Sequence, residues 1–98
     1  MGLVLHYLFI DSQEQLWIGL NSGLYCCLLG ETPQLIDSDC HVTYITELPQ
    51  SMAIGTTCDL RIYSKDRNLL QKLCPDTYVQ SLLPLPNKEI LLIGTFNC

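Results

Sequence analysis

The segment Leu16-Trp17-Ile18-Gly19-Leu20 carries the pattern that decides the fold. Two later segments align with it, and they are Met52-Ala53-Ile54-Gly55-Thr56 and Leu91-Leu92-Ile93-Gly94-Thr95. The three glycines are 36 and then 39 residues apart. A period of this length is typical of proteins built from repeated supersecondary units, in which each unit buries its apolar face on the next.

The sequence around the three segments repeats as well. An apolar stretch and then a polar or proline-containing turn precede each segment, and a second turn with a further apolar stretch follows the first two. Short apolar stretches separated by such turns predict β-strands. The predicted strands are 4–10, 15–20, 23–29 and 33–37, then 41–47, 51–56, 59–64 and 68–74, and finally 77–84 and 89–96. The predicted tight connections are 12–15, 21–23, 48–51, 57–58 and 86–88.

Four strands in a unit of about 40 residues are typical of a β-propeller blade. We therefore predict an all-β fold and a β-propeller fragment, with two four-stranded antiparallel blades and the first two strands of a third. The whole chain, 1–98, is then a single partial domain, with blades at about 4–37 and 41–74 and a half blade at about 77–96. We expect each repeated glycine where the inner strands crowd towards the propeller axis and leave no room for a Cβ.

The composition excludes several classes of protein. Apolar residues make up 48% of the chain and charged residues 15%, and the formal net charge is −5. No Lys or Arg precedes Arg61, so the basic stripe that binds nucleic acid is absent. The first residues lack the basic region of a signal peptide, and no apolar run is long enough for a transmembrane helix.

No motif for catalysis, a cofactor or a metal is present, since the chain has neither a Cys-x-x-Cys pair nor a glycine-rich phosphate loop. Free thiols are the favoured state of the six cysteines, with one disulfide or a metal site as alternatives, because Cys26 and Cys27 should point to opposite faces of a strand. Trp17 is expected in the core, the alternative being a platform for a sugar. Three acidic residues in the connections between blades could bind a cation, although acidic loops are common: Asp37, Asp39 and Asp76.

A ligand site is most reasonably sought in the loops, because loops on a rigid scaffold commonly bind ligands. We expect it on the face that gathers the connections between second and third strands and those between blades. The candidate ligand-binding residues are Asn21, Ser22, Asp39, His41 and Thr57. This expectation rests on analogy between folds.

The stretch from Leu16 to Tyr25, together with Asp11, resembles the two-component regulator propeller repeat. That repeat has an apolar strand, Asp, a polar turn, Leu-Trp-Ile-Gly-Thr, two polar residues and then Gly-Leu and an aromatic residue. The first unit departs from it at Leu20, and the second has Ala53 and Asp59 in place of the Trp and the second Gly.

The resemblance implies the sensory region of the hybrid histidine kinases of Bacteroides-type bacteria, whose periplasmic propellers sense oligosaccharides. The chain is then expected to be a non-catalytic fragment of such a sensor, located in the periplasm, with an oligosaccharide as its ligand. Two alternatives stay open: a fragment of a lactonase-like or lyase-like propeller enzyme, and a stand-alone protein-interaction module. The enzyme is disfavoured because the inner strands offer no metal ligands at Leu8, Phe9, Tyr44, Ile45, Leu82 and Leu83.

The expected partners are the remaining blades of a longer propeller or other copies of the chain, and not nucleic acid. A stack of blades has two open apolar ends, here near Leu5, Tyr7 and Tyr25, and near Leu91, Ile93 and Phe96. Two unlike ends pack head to tail, which predicts a closed ring such as a trimer, with non-specific aggregation as the alternative.

Overall fold

The computed structural model describes residues 4–89 and 91–95, and the side chains at 91 and 92 are not part of that description. The described residues do not include Cys98 or two residues of the last predicted strand, 90 and Phe96. All the regular elements in the described ranges are β-strands. In this part of the chain no helix has the length and apolar character needed to cross a bilayer.

Ten strands follow one another along the chain, each with ends within two residues of the predicted ones. They are β1 (Leu5–Ile10), β2 (Gln15–Leu20), β3 (Gly23–Leu28), β4 (Gln34–Asp37), β5 (Val42–Glu47), β6 (Ser51–Thr56), β7 (Leu60–Ser64), β8 (Leu69–Leu73), β9 (Val79–Pro84) and β10 (Leu91–Thr95). Turn-forming residues separate the strands of each unit, which is why the repeat predicted these bounds.

The strands form three antiparallel sheets in sequence order. Blade 1 is β1-β2-β3-β4, blade 2 is β5-β6-β7-β8, and β9 and β10 form a half blade. The first strands of consecutive sheets, β1, β5 and β9, lie next to one another. All residues of β6 are buried because its sheet is covered on both faces, whereas β8 is exposed along its length. This is the arrangement of consecutive propeller blades with the first strand innermost.

Two of the three repeated glycines, Gly19 and Gly55, receive a side chain of the following blade. A Cβ placed on Gly19 would overlap the side chain of Val42, and one on Gly55 would lie 2.6 Å from Cγ1 of Val79. Val42 and Val79 are the first residues of β5 and β9. The expected crowding by the inner strands is therefore present at Gly19 and Gly55, and the side chain that fills the space is a valine from the inner strand of the next blade.

This contact makes a specific prediction for Gly19→Ala. The new methyl group would be forced against Val42, so we expect the free energy of unfolding to fall by about 1 to 3 kcal/mol. Val42→Ala removes the two γ-methyl groups but leaves the Cβ, which lies 2.7 Å from the added one. The overlap is then relieved in part, so the double variant should be more stable than the sum of the two single effects predicts. Urea denaturation of all four proteins measures this coupling, and strict additivity would contradict the contact.

A β-bulge decides which face of blade 1 each inner residue occupies. The pairing of β1 with β2 shifts between Leu5 and Tyr7. Tyr7 and Phe9 therefore pack against the core shared with blade 2, and the Tyr7 ring lies 4.6 Å from that of Tyr44. The prediction that Tyr7 lies on the open end face is wrong, because simple alternation from Leu5 ignores the bulge.

Candidate ligand-binding cleft

Three connections meet at one end of the first two blades. They are the β2–β3 turn, the link from β4 to β5 and the β6–β7 turn, and they enclose a cleft of about 360 Å³. All five residues that the sequence singled out line this cleft: Asn21, Ser22, Asp39, His41 and Thr57. Its volume is within the range of small-molecule sites.

Backbone hydrogen bonds hold the walls of the cleft in place. The Asn21 N–H donates to the carbonyl oxygen of Val4 at 3.0 Å, and the Asn21 side-chain oxygen accepts the Val4 N–H at 3.1 Å. The Thr57 N–H donates to the His41 carbonyl oxygen at 3.1 Å, so the β6–β7 turn is joined to the link between blades. The rings of His6 and His41 meet edge to face, with centroids 4.5 Å apart.

A buried arginine closes the inner side of the cleft. Arg61 is 6% exposed, and its guanidinium pairs with Asp37 at 2.6 Å and Asp59 at 3.0 Å. A further N–H of the guanidinium donates to the Asp39 carbonyl oxygen at 3.3 Å. Burial alone would lower the pKa of Arg61, but its hydrogen bond and charge contacts with Asp59, and the charge of Asp37, raise it. The positive charge is therefore permanent and is shared between two carboxylates.

Asp37 links the end of blade 1 to blade 2. Its carboxylate accepts the hydroxyl of Tyr63 at 2.9 Å in addition to Arg61. Burial would raise the pKa of Asp37, but the N–H of Asp39, the Tyr63 hydroxyl and the Arg61 charge together lower it. Burial and the hydrogen bond to Asp37 raise the pKa of Tyr63. Asp37 thus stays ionised and is committed to contacts within the protein, which argues against the alternative that it binds a cation.

The groups that remain open to a ligand are polar and small. Ser22 and Asp39 are exposed, and Asn21, His41 and Thr57 are half-buried. Together they present hydroxyls, an amide, an imidazole and a carboxylate, which can donate and accept hydrogen bonds in several directions. Such a lining suits a ligand with many hydroxyl groups better than an apolar one.

Arg61 is the charged residue of the cleft that the sequence analysis missed, and the other lining residues that it missed are Ser38, Cys40, Thr56 and Cys58. The repeat aligns Arg61 with Tyr25 of the first unit, so a charge replaces an aromatic residue at a predicted strand position. That substitution was a usable signal, because a charged residue is rarely buried unless it is paired. Its partners could not be predicted, since they depend on how two blades pack.

Asp11 explains the acidic position of the repeat. It is 4% exposed, and its carboxylate accepts the N–H groups of Gln13 and Gln15, the side-chain amide of Gln15 and the indole N–H of Trp17, all at 2.9 to 3.0 Å. Trp17 is fully buried, so it is a core residue as predicted and cannot stack on a sugar. The Asp and the Trp of the repeat therefore form one buried unit.

The remaining candidates from the sequence are the metal ligands and the cysteines. Across residues 4–89 and 91–95, no three His, Cys, Asp or Glu side chains are grouped so that they could hold a metal ion. The five described cysteines are free thiols, and Cys26, Cys27 and Cys40 are buried. Burial raises the pKa of Cys26 and Cys40 to about 11. Buried thiols of this kind behave as small apolar side chains.

The sequence matches no protein-family model and no curated protein. Among solved structures, the fold is similar to the extracellular domain of a hybrid two-component system from B. thetaiotaomicron, with a TM-score of 0.65 and 16% sequence identity. The similarity covers 93% of this chain but only 17% of that domain. It establishes the similarity of the fold.

Proposed function

We propose that this chain belongs to the ligand-sensing propeller of a two-component receptor, located outside the cytoplasm, and that the cleft binds an oligosaccharide. The fold of the neighbouring structure and the repeat around Trp17 support the sensor role. The observation that carries the ligand site is the meeting of five polar residues from three connections in one cleft. Loops on a rigid β-scaffold are common positions for recognition.

The chemistry of the lining supports a sugar over other ligands. A sugar hydroxyl can donate to the Asp39 carboxylate and accept from the Thr57 or Ser22 hydroxyl in the same site. Among the described residues of the lining, Arg61 carries the positive charge, and it is already paired with two aspartates, so the cleft offers little attraction to an anion. A neutral polyhydroxylated ligand fits this balance.

Asp39→Ala tests the proposal. A glycan array screened with the wild-type chain identifies a ligand, and titration calorimetry then compares the variants. Removing an exposed carboxylate that accepts from the ligand should weaken binding about tenfold to a hundredfold. Asp66→Ala is the matched control, because Asp66 is an exposed acid in the turn between β7 and β8. Equal loss in both variants, or binding that survives Asp39→Ala, would refute this site.

A further inference from the structure

A second cleft lies between the first two blades, at the end opposite to the candidate ligand-binding cleft. Its volume is about 370 Å³, and its walls come from blade 1 and from the turn between β7 and β8. Both sheets have four strands, so the ends of the chain contribute nothing to this cleft. The polar and charged residues of its lining include Gln15, Gln34, Lys65, Asp66 and Arg67.

Arg67 is held in this cleft by two neutral side chains. Its Nε donates to the Gln15 side-chain oxygen at 2.8 Å, and a terminal nitrogen donates to the Gln34 side-chain oxygen at 2.7 Å. The Gln15 amide is fixed in its turn, because its nitrogen donates to the buried Asp11 carboxylate at 3.0 Å and to the Lys65 carbonyl oxygen at 2.9 Å. Uncharged acceptors therefore set the position of the guanidinium.

These contacts leave the charge of Arg67 uncompensated. Among the residues that the structure describes, the ion pairs are formed by Arg61 and Lys65, and none includes Arg67. Asp66 also lines the cleft, but its exposed carboxylate makes no ion pair with the guanidinium. A guanidinium has five N–H donors, so three remain after the bonds to the two glutamines. Arg67 therefore offers a fixed positive charge with unused donors.

The β7–β8 turn does not itself require an arginine at this position. Arg67 has a left-handed backbone with a φ of 74°, and its N–H donates to the Ser64 carbonyl oxygen at 3.0 Å. Glycine is the usual residue at such a position, because it has no Cβ to resist a positive φ. The contacts of the side chain therefore account for the arginine better than the turn does.

We propose that this cleft binds the carboxylate or phosphate group of an anionic ligand, with Arg67 as the main donor. The planar fork of a guanidinium matches the oxygens of both groups and can donate two hydrogen bonds at once. The oxygen of Gln34 is occupied by Arg67, so the NH2 group of this exposed amide is the part that a ligand meets. Asp66 weakens the site by its like charge. The proposal does not depend on the oligosaccharide site, since the two clefts share no lining residue.

Nuclear magnetic resonance titrations of the whole chain with acetate, inorganic phosphate and chloride test this site. The signals of the Arg67 Nε–H and the Gln34 side-chain amide should shift and saturate with an oxyanion, at a dissociation constant of roughly 1 to 10 mM. The oxyanion that binds more tightly identifies the group that the cleft accepts. Chloride at equal ionic strength should cause no saturation, and shifts that chloride reproduces would overturn the proposal.

Two substitutions separate an anion site from a contact that only joins the blades. Arg67→Lys keeps the charge but loses the fork, so the dissociation constant should rise about fivefold or more. Asp66→Asn removes the opposing charge, so binding should become roughly two to five times tighter. Lys88→Met is the matched control, because it removes an exposed cation from the β9–β10 connection at the same end of the blades. Its dissociation constant should equal that of the wild type.

Gln34→Glu is the second variant if Arg67→Lys fails to fold by circular dichroism. The new carboxylate pairs with Arg67 from within the protein, so the fold should be kept and the binding of acetate and phosphate should be lost. Wild-type affinity in Gln34→Glu, or an equal loss in Lys88→Met, would contradict a site at Arg67.

Discussion

Replacing Asp11 with alanine is expected to lower the free energy of unfolding by about 3 to 5 kcal/mol. The Asp11 carboxylate accepts four hydrogen bonds in a buried position, and one donor is the indole N–H of the fully buried Trp17. Alanine leaves the indole N–H of Trp17 and the backbone N–H of Gln15 without an acceptor, and an unpaired buried donor loses its hydration without compensation. A domain of this size has a total stability of about 5 to 15 kcal/mol, so the variant should lose a large share of its stability.

Two further variants test whether the lost hydrogen bonds cause the destabilisation by Asp11→Ala. Trp17→Phe removes the indole donor and keeps an aromatic ring in the core, so in that background the further loss from Asp11→Ala should be smaller. Asp66→Ala, an exposed acid in a turn, should change the stability by less than about 0.5 kcal/mol. If Asp11→Ala and Asp66→Ala gave the same urea midpoint, the hydrogen bonds of Asp11 would not be structural.

Asp11 should also give the protein a pH dependence. Burial would raise the pKa of Asp11, but the hydrogen bonds from Trp17, Gln15 and Gln13 lower it below its ordinary value of 3.8. The folded state therefore binds the proton more weakly than the unfolded chain. This part of the stability is fully present above pH 3.8 and is lost as the pH falls through the lower pKa of the folded state. Asp11→Asn should remove this part of the acid dependence.

Arg61→Met is the second change with a large expected effect. The guanidinium of Arg61 is the cationic partner of Asp37 and Asp59, and methionine fills similar volume without a charge. Two partly buried carboxylates are then left facing each other, and breaking a buried pair in this way costs about 3 to 5 kcal/mol. Urea denaturation measures the loss, and Lys88→Met, which removes an exposed cation from the connection between β9 and β10, should have almost no effect.

A titration distinguishes lost charge from lost packing. The Arg61 charge is one of the contacts that lower the pKa of Asp37, so Arg61→Met should raise that pKa. Nuclear magnetic resonance of the Asp37 carboxyl carbon reports it directly. Adding Asp37→Asn to Arg61→Met should restore part of the stability, because an amide needs no counter-charge. No recovery in the double variant would mean that packing, and not charge, is what Arg61 supplies.

The repeat made the strands and the cleft predictable, because both follow from local chemistry. Turn residues fixed the strand ends. Because equivalent connections of successive blades lie at the same end, the repeat also placed Asn21, Asp39 and Thr57 together there. The side that Tyr7 faces was not predictable, since a bulge leaves no mark in the order of apolar residues. The partners of Arg61 were also not predictable from the sequence, because the salt bridge to Asp37 joins positions 24 residues apart in two different sheets.

The sequential order of the strands has a consequence for how the chain folds. Each sheet joins neighbouring segments, so its closure requires only short loops, whereas the contacts between blades join distant segments. We expect each blade to form early and the docking of one blade on the other to follow. Asp11, inside blade 1, should then influence mainly the folding rate, and Arg61, between blades, mainly the unfolding rate. In a chevron plot, substitution of Asp11 should then shift mainly the folding arm, and substitution of Arg61 mainly the unfolding arm. The two arms would separate the formation of a blade from the docking of one blade on the next.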